Sequence, residues 1–447
     1  MTDGRERRVA IACQGGGSHT AFTAGVLSRL LDADELDDYR VVGLSGTSGG
    51  AVCALLAWSA LLDGERRGAR ARLDGFWTDN SASSPVEVAV NAWMVWAATL
   101  QSTGALPAIS PYDIPVTGME HFRELLRRWV DFDRIQVDEL ASHPLLLVGA
   151  VDVLSGRFRA FHSRRDRITA DTILASAAIP TAFRTVHTDG GSYWDGLFSQ
   201  NPPVRELLEA RPDELWVIQI NPTARDTEPR SLLDIADRRN ELAGNLSLYQ
   251  ELHVIEKIDQ LLDDGVLVGD RYKQVTVRVI ELARPEASRW LGPASKLNRD
   301  GRFLRELMTQ GERQADAFLT TLAFERAWQR ADVADLIRFL ADDAELTSTE
   351  PFPLHGPVQG RRLHEVIRDL ARDVRIDLTN KQLTREKAAW TVRMDGEGGS
   401  RRGLVEAEFR DDRLIRLHLG PVPGDGPPRS GAGAVPTGIA VGGRPSP

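Results

Sequence analysis

Over its first 320 residues the chain alternates short apolar runs with longer amphipathic stretches. Apolar runs at 8–13, 41–44, 145–152, 158–162, 214–220 and 274–281 suit strands, several of them continuous enough for a sheet covered on both faces. Helical patterns fall between them, at about 19–31, 50–63, 119–130, 169–178, 231–263 and 300–320. Strands alternating with helices predict a three-layer α/β/α domain. Near residue 323 the texture changes. "FERAWQRADVADLIRFLADDAELTS" reads as two amphipathic helices ending in a strand, and "GRRLHEVIRDLARD" as a third helix. Alternating strands follow at 375–382, 388–395, 403–410 and 414–419. That order predicts a smaller α+β domain. The division expected is 1–322, 323–421 and a Pro/Gly-rich, almost uncharged tail over 422–447, which should be disordered.

Composition narrows the class. The 447 residues, 42% hydrophobic and 27% charged, are those of an ordinary globular protein. A net charge of −9 and short basic clusters mixed with acids (Arg66-Arg67, Arg164-Arg165, Arg401-Arg402) give no case for nucleic acid. Two cysteines, Cys13 and Cys53, in apolar surroundings offer neither a disulfide framework nor zinc spacing; buried thiols are expected, and neither metal nor cofactor. The N-terminus shows no secretion signal and no run is long enough to span a bilayer, so a cytoplasmic protein with peripheral membrane contact is expected.

The chemistry concentrates at "VVGLSGTSGGAVCALLA", residues 41–57. An apolar strand, a glycine-crowded turn and an Ala/Leu-rich helix succeed one another, and Gly46-Thr47-Ser48-Gly49-Gly50 fits the G-x-S-x-G nucleophile elbow. Ser48 at a helix N-terminus would face free N–H groups that favour an oxyanion. The competing reading is a serine filling a tight turn. A second glycine cluster, Gly15, Gly16 and Gly17 in "CQGGGSHTAFTAGVL", follows the first strand and can form an anion nest. A dinucleotide loop is the alternative there, but the G-x-G-x-x-G spacing fails. In "HTDGGSYWDGLFSQNPPV", residues 187–204, Asp189-Gly190 reads as a hairpin turn, whereas Asp195 ends an aromatic strand and suits a base. None of the nine histidines has a triad context.

These segments, in this order and together with "ILASAAIPTAF" at 173–183, resemble the patatin-like phospholipase family over residues 8–225 and onward toward 320. The resemblance implies the three-layer fold and a Ser–Asp dyad without histidine. Ser48 would be the nucleophile, Asp195 the base, and Gly15, Gly16 and Gly17 the oxyanion hole. The implied activity is hydrolysis of fatty-acyl esters of phospholipids or related lipids. A lipid-binding protein with a weak serine site, regulated by its C-terminal domain, is the alternative. The family often carries Arg or Lys just after the glycines. This chain has His19, so the resemblance supplies no fixed cation there, and His19 would add pH dependence. The C-terminal part resembles the NTF2-like (SnoaL-like) cone fold in its helix order, in Trp328 and Asp332 of a W-x-x-x-D pattern, and in its four late strands. That likeness implies a pocket and a homodimer contact.

Two further stretches bear on the site. Residues 86–100 carry one charge, Glu87, and two tryptophans, Trp93 and Trp96. A packed core helix is the expectation, with a lid or acyl-chain wall that meets the bilayer as the alternative. Asn240, Asn245 and Gln250 dot the long helix at 237–262, where a structural role is expected.

Overall fold

The computed structural model describes residues 6–102, 110–113, 117–135, 137–180, 182–225, 227–269, 271–282, 291–292, 294–349, 357–377, 381–383, 387–396, 399–410 and 413–421. The expected tail at 422–447 lies outside the described residues. The N-terminal part contains β1 (Arg7–Cys13), α1 (Ala21–Asp32), β2 (Tyr39–Thr47), α2 (Gly49–Leu62), α3 (Gly68–Asn80), α4 (Pro85–Ser102) and α5 (Thr117–Trp129). It continues with β3 (Leu145–Asp152), β4 (Phe158–His162), α6 (Ala170–Ala177), β5 (Val186–Thr188), β6 (Gly191–Asp195), β7 (Glu214–Gln219), α7 (Leu232–Asp263) and β8 (Thr276–Glu281). Strands β8, β7, β1, β2 and β3 lie side by side and parallel; β4 and β6 add antiparallel to β3, and β5 closes that edge.

Alternation along the strands sorts side chains to two faces. Val9, Ile11, Leu44, Leu146, Val148 and Ile218 enter one core with α1, α2 and α6; Ala10, Ala12, Leu145, Leu147 and Val217 enter a second under Leu248 and Ile255 of α7. Helices thus cover both faces, giving the three layers. Within α2, every residue from Gly50 to Ala60 is buried, which explains why its sequence is apolar all round. The Asp189-Gly190 turn joins β5 to β6 with positive φ at both residues, 48° and 72°.

The expected helix at 300–320 is longer: α8 (Gly301–Gln329) runs through position 322/323, where a boundary was expected. Beyond it come α9 (Val333–Arg338), β9 (Leu340–Ser348), β10 (Val358–Gln359), α10 (Gly360–Asp373), β11 (Val374–Asp377), β12 (Lys381–Leu383), β13 (Lys387–Gly396), β14 (Gly399–Arg410) and β15 (Arg413–Gly420). The strand expected at 375–382 is two strands, both paired with β13. Asp332 caps α9 through the N–H of Asp335, and Trp328 Nε1 donates to the Val374 carbonyl at 3.1 Å. Those roles account for both residues of the W-x-x-x-D pattern.

The two parts share one sheet, because β12 pairs parallel with β8 and antiparallel with β13. Beneath that junction lies a buried ion group. Arg278 of β8 donates to Glu214 of β7 at 2.6 Å and to both carboxylate oxygens of Glu325 of α8 at 2.8 and 2.9 Å. Trp216 Nε1 donates to Glu214, and Trp390 Nε1 of β13 donates to Glu325. Burial alone would push the Glu214 carboxyl up; the Arg278 charge holds it below its usual value. Removing Glu325 takes two charge-assisted hydrogen bonds from the buried Arg278 and leaves the Trp390 Nε1 without its acceptor. Glu325→Ala should therefore cost about 3–5 kcal/mol in urea unfolding. A cost below ~1 kcal/mol would show that the group does not tie the sheet together.

Candidate active site

The site lies at the C-terminal ends of β1, β2 and β3, where open parallel sheets leave a crevice. Register builds it. Thr47, the last residue of β2, stands opposite Gly149 of β3, and Ala150, the next residue of β3, stands opposite Asp195 of β6. Ser48 follows Thr47 directly and precedes α2. Its backbone sits at φ 57° and ψ −132°, a conformation costing a non-glycine residue about 1–3 kcal/mol. The strain persists because neighbours fix the turn. A side chain on Gly46 would run into the Gly50 carbonyl at 2.5 Å, and one on Gly50 into the Cys13 carbonyl at 2.4 Å. Ser48 N–H donates to Ser176 Oγ at 2.9 Å, and Ser176 donates onward to the Gly149 carbonyl at 2.6 Å. Thr47 Oγ1 donates to the Gln200 carbonyl at 2.6 Å.

Asp195 is buried beside Ser48. Burial pushes its carboxyl up to about 6, against the Leu197 N–H at 2.8 Å, a hydrogen bond from the Ser48 hydroxyl and the charge of Lys296, each of which pulls it down. Asp189 sits elsewhere, in the exposed hairpin turn, paired with Arg159 at 2.7 Å.

The glycine loop lies against the elbow. Gly15 is so close to Ser48 that a Cβ there would meet the Ser48 Cβ at 3.0 Å. Its N–H, expected to face an oxyanion, instead donates to Asn201 Oδ1 at 2.7 Å, a correction to the expected donor set. Asn201 holds it by also bonding the Gly244 carbonyl of α7. Among the described residues, no partner occupies the N–H groups of Gly16, Gly17 or Gly49, and Gly49 opens α2 beside Gly17. Gln14 braces the loop, accepting from Ile220 and Asn221 and donating to Asn245, the structural role expected of that α7 residue. His19 is fully buried and bonded to Ser295 at 2.7 Å. Cys13 and Cys53 are buried free thiols.

A cavity of about 1610 Å³ adjoins the site. Leu197, Gln200 and Lys296 line it at that end, and it runs along Leu246, Val254 and Ile258 of α7. Ala98 and Gln101 of α4 contribute to its wall. The expectation that 86–100 packs in the core is overturned: Val86, Val90, Trp93 and Trp96 of α4 are 73%, 51%, 64% and 56% exposed. The helix lies outside the three layers, tied down by Asn91, which bonds Asn298 at 2.8 Å and the Arg299 N–H at 2.7 Å. Sequence reasoning missed Ser176, Asn201 and Lys296. Ser176 and Asn201 lay inside segments already singled out, at 173–183 and 187–204; Lys296 carried no local signal.

Among comparisons with known proteins, residues 11–208 match the model of the family described as patatin-like phospholipase. The N-terminal part is thus similar to that family over the residues that hold Ser48 and Asp195, and the match supports lipid acyl hydrolase chemistry in general. No curated protein matches the chain. Solved structures similar to its C-terminal part include NTF2-like proteins of unknown function from Cytophaga hutchinsonii and Burkholderia pseudomallei, 10% and 18% identical. They cover 23% of this chain and 87% and 88% of their own, with TM-scores of 0.20 and 0.21. An M. tuberculosis LEH-like epoxide hydrolase is 16% identical over 23% of this chain and 80% of its own, with a TM-score of 0.20.

The buried carboxyl of Asp195 has a consequence for stability. Its folded value lies above its unfolded one, so the folded state is favoured at low pH and penalised as pH rises from ~4 through about 6. Asp195→Asn should be more stable than the wild type at about pH 7.5, by up to about 3 kcal/mol for a rise of ~2 units. The difference should vanish as pH falls below ~4. Denaturant midpoints across pH check this; a variant less stable at neutral pH would contradict the desolvation account.

Proposed function

We propose that the protein is a serine acyl-ester hydrolase of lipids, working through Ser48 and Asp195. The observation that carries this reading is the strained, buried serine at a helix N-terminus, its hydroxyl acting on a buried carboxyl whose value lies near 6. At neutral pH that carboxyl is ionised and accepts the Ser48 proton. The Ser48 oxygen attacks the ester carbonyl, and the N–H groups of Gly16, Gly17 and Gly49 receive the oxyanion, aided by the N-terminal end of α2. As the tetrahedral intermediate collapses, Asp195 returns the proton to the departing alkoxide. Water, deprotonated by Asp195, then cleaves the acyl–Ser48 ester and regenerates both groups.

The cavity supports a long-chain substrate. Its volume exceeds the ~300–1,000 Å³ usual for small-molecule sites, and much of the α7 wall is aliphatic. The exposed tryptophans of α4 support peripheral contact with a membrane. Leu246, Val254 and Tyr272, also exposed, border the same cavity, so apolar surface flanks the route by which a lipid would enter.

Ser48→Ala should abolish release of p-nitrophenol from acyl esters and lose labelling by a fluorophosphonate while remaining folded. Wild-type kcat/KM should fall as pH drops through about 6, as Asp195 takes up a proton. Turnover retained by Ser48→Ala would remove the serine assignment. Separately, the double change Trp93→Ser, Trp96→Ser should weaken flotation with phosphatidylcholine vesicles and leave turnover of a soluble short-chain ester intact. Unchanged flotation would sink the membrane-contact reading.

A further inference from the structure

We propose that Lys296 is a positioning residue of this site: held against the glycine loop by the turn Ala294–Leu297, its ammonium keeps the Asp195 carboxylate in its proton-accepting form. The inference rests on the Ser48–Asp195 reading and adds to it a residue from a distant part of the chain.

Three contacts place the turn. Ser295 Oγ lies 2.7 Å from His19 Nε2 and also donates to the Gly292 carbonyl at 2.8 Å. The Lys296 carbonyl presses so close to Gly17 that a Cβ there would stand 2.3 Å away, and Gly17 has φ +58°, so only glycine suits the position. Lys296 Nζ donates to Asn221 Oδ1 at 3.0 Å, and the Asn221 N–H is itself fixed by Gln14. The lysine head is thereby anchored at the end of β7, in the same network that shapes the glycine loop. Lys296 also lines the cavity together with Leu197, whose N–H holds Asp195.

A carboxylate buried beside an apolar cavity loses its solvation, and an opposite charge offsets that loss. The groups at this end of the site are mostly neutral. Ser48 from the elbow and Leu197 N–H from its own turn are neutral donors. Ser199, from the same turn, bonds the Ala150 and Gly196 carbonyls, and Gln14, Asn221 and Asn245 at the β7–α7 edge are neutral. His19 faces Ser295. Further along the cavity Glu251 accepts from the backbone of Val204 and Arg205 and from Gln200. Among the described residues, Lys296, anchored on Asn221 and lining the cavity with Leu197, supplies positive charge at this end, which favours the Asp195 anion less strongly than the Leu197 N–H and the Ser48 hydroxyl do. By favouring the anion it raises the fraction of enzyme ready to accept the Ser48 proton, and it does so at the acid end of the working range.

The test is the pH dependence of kcat/KM on a neutral short-chain p-nitrophenyl ester, which offers Lys296 no substrate charge to meet. Lys296→Gln keeps a donor for Asn221 and removes the charge. Its acid limb should move up, with a loss of up to about threefold near pH 6.5 and almost none near pH 9. Lys296→Arg should keep the limb near the wild-type position. Should Lys296→Gln fold poorly, Lys296→Cys alkylated with 2-bromoethylamine restores an ammonium at nearly the same reach. Cys13 and Cys53 are buried and should be spared. Alkylation should return a raised limb toward the wild-type value. A limb that stays put in Lys296→Gln, that shifts equally in Lys296→Arg, or that ignores alkylation overturns the inference. Wild-type turnover equal to that of Ser48→Ala would instead overturn the hydrolase reading, so the two failures are distinguishable.

Discussion

Everything at the site depends on how sharply the chain turns between β2 and α2. The strand arrives through Gly46, the helix leaves through Gly50, and the two pass too close for a side chain on either. Ser48 occupies the apex with a backbone that an L-residue rarely adopts. The turn holds because its surroundings are over-determined: Ser176 takes its N–H, Thr47 is tied to Gln200, and α2 is buried along its length. Strain of this kind survives only where packing pays for it, and here the cost coincides with a serine at a helix N-terminus among glycines.

A second cost sits beside the first. Asp195 is buried with partners that only partly offset its desolvation. A well-stabilised carboxylate would be a poor base, whereas an unsupported one would be protonated and useless near neutrality. The balance comes from groups of different origin: one backbone N–H, one hydroxyl and one lysine. The elbow and the carboxyl therefore both hold energy that folding elsewhere in the sheet must supply.

Much of this was legible in the sequence, for identifiable reasons. The parallel strands are continuous apolar runs, and the elbow and the Asp-Gly turn have local signatures, so β1, β2, β3, β7 and the β5–β6 hairpin fall near where the pattern puts them. Local signals failed where long-range geometry decides. The Gly15 N–H looked like an oxyanion donor, but its partner is Asn201, 186 positions away. Lys296 reaches the site through a turn whose Ser295 meets His19 across 276 positions. The apolar pattern of α4 cannot tell a buried helix from one with its greasy side outward, since hydrophobicity records affinity for a nonpolar surface and not whether that surface belongs to the protein. α3 lacked a clear apolar stripe and was not anticipated.

The junction between the two parts changes how the C-terminal unit should be viewed. Its texture suggested an appended module, yet α8 begins beside the site turn, packs along α1, and ends inside the second unit. β12 then adds to the first sheet at β8, and Arg278 binds Glu325 of α8 beneath Trp390 of β13. Asp300, which caps α8, follows directly on the turn that carries Lys296 and on the Arg299 N–H that holds α4. One continuous helix thus connects the shared sheet to both the cation of the site and the exposed helix at the cavity wall.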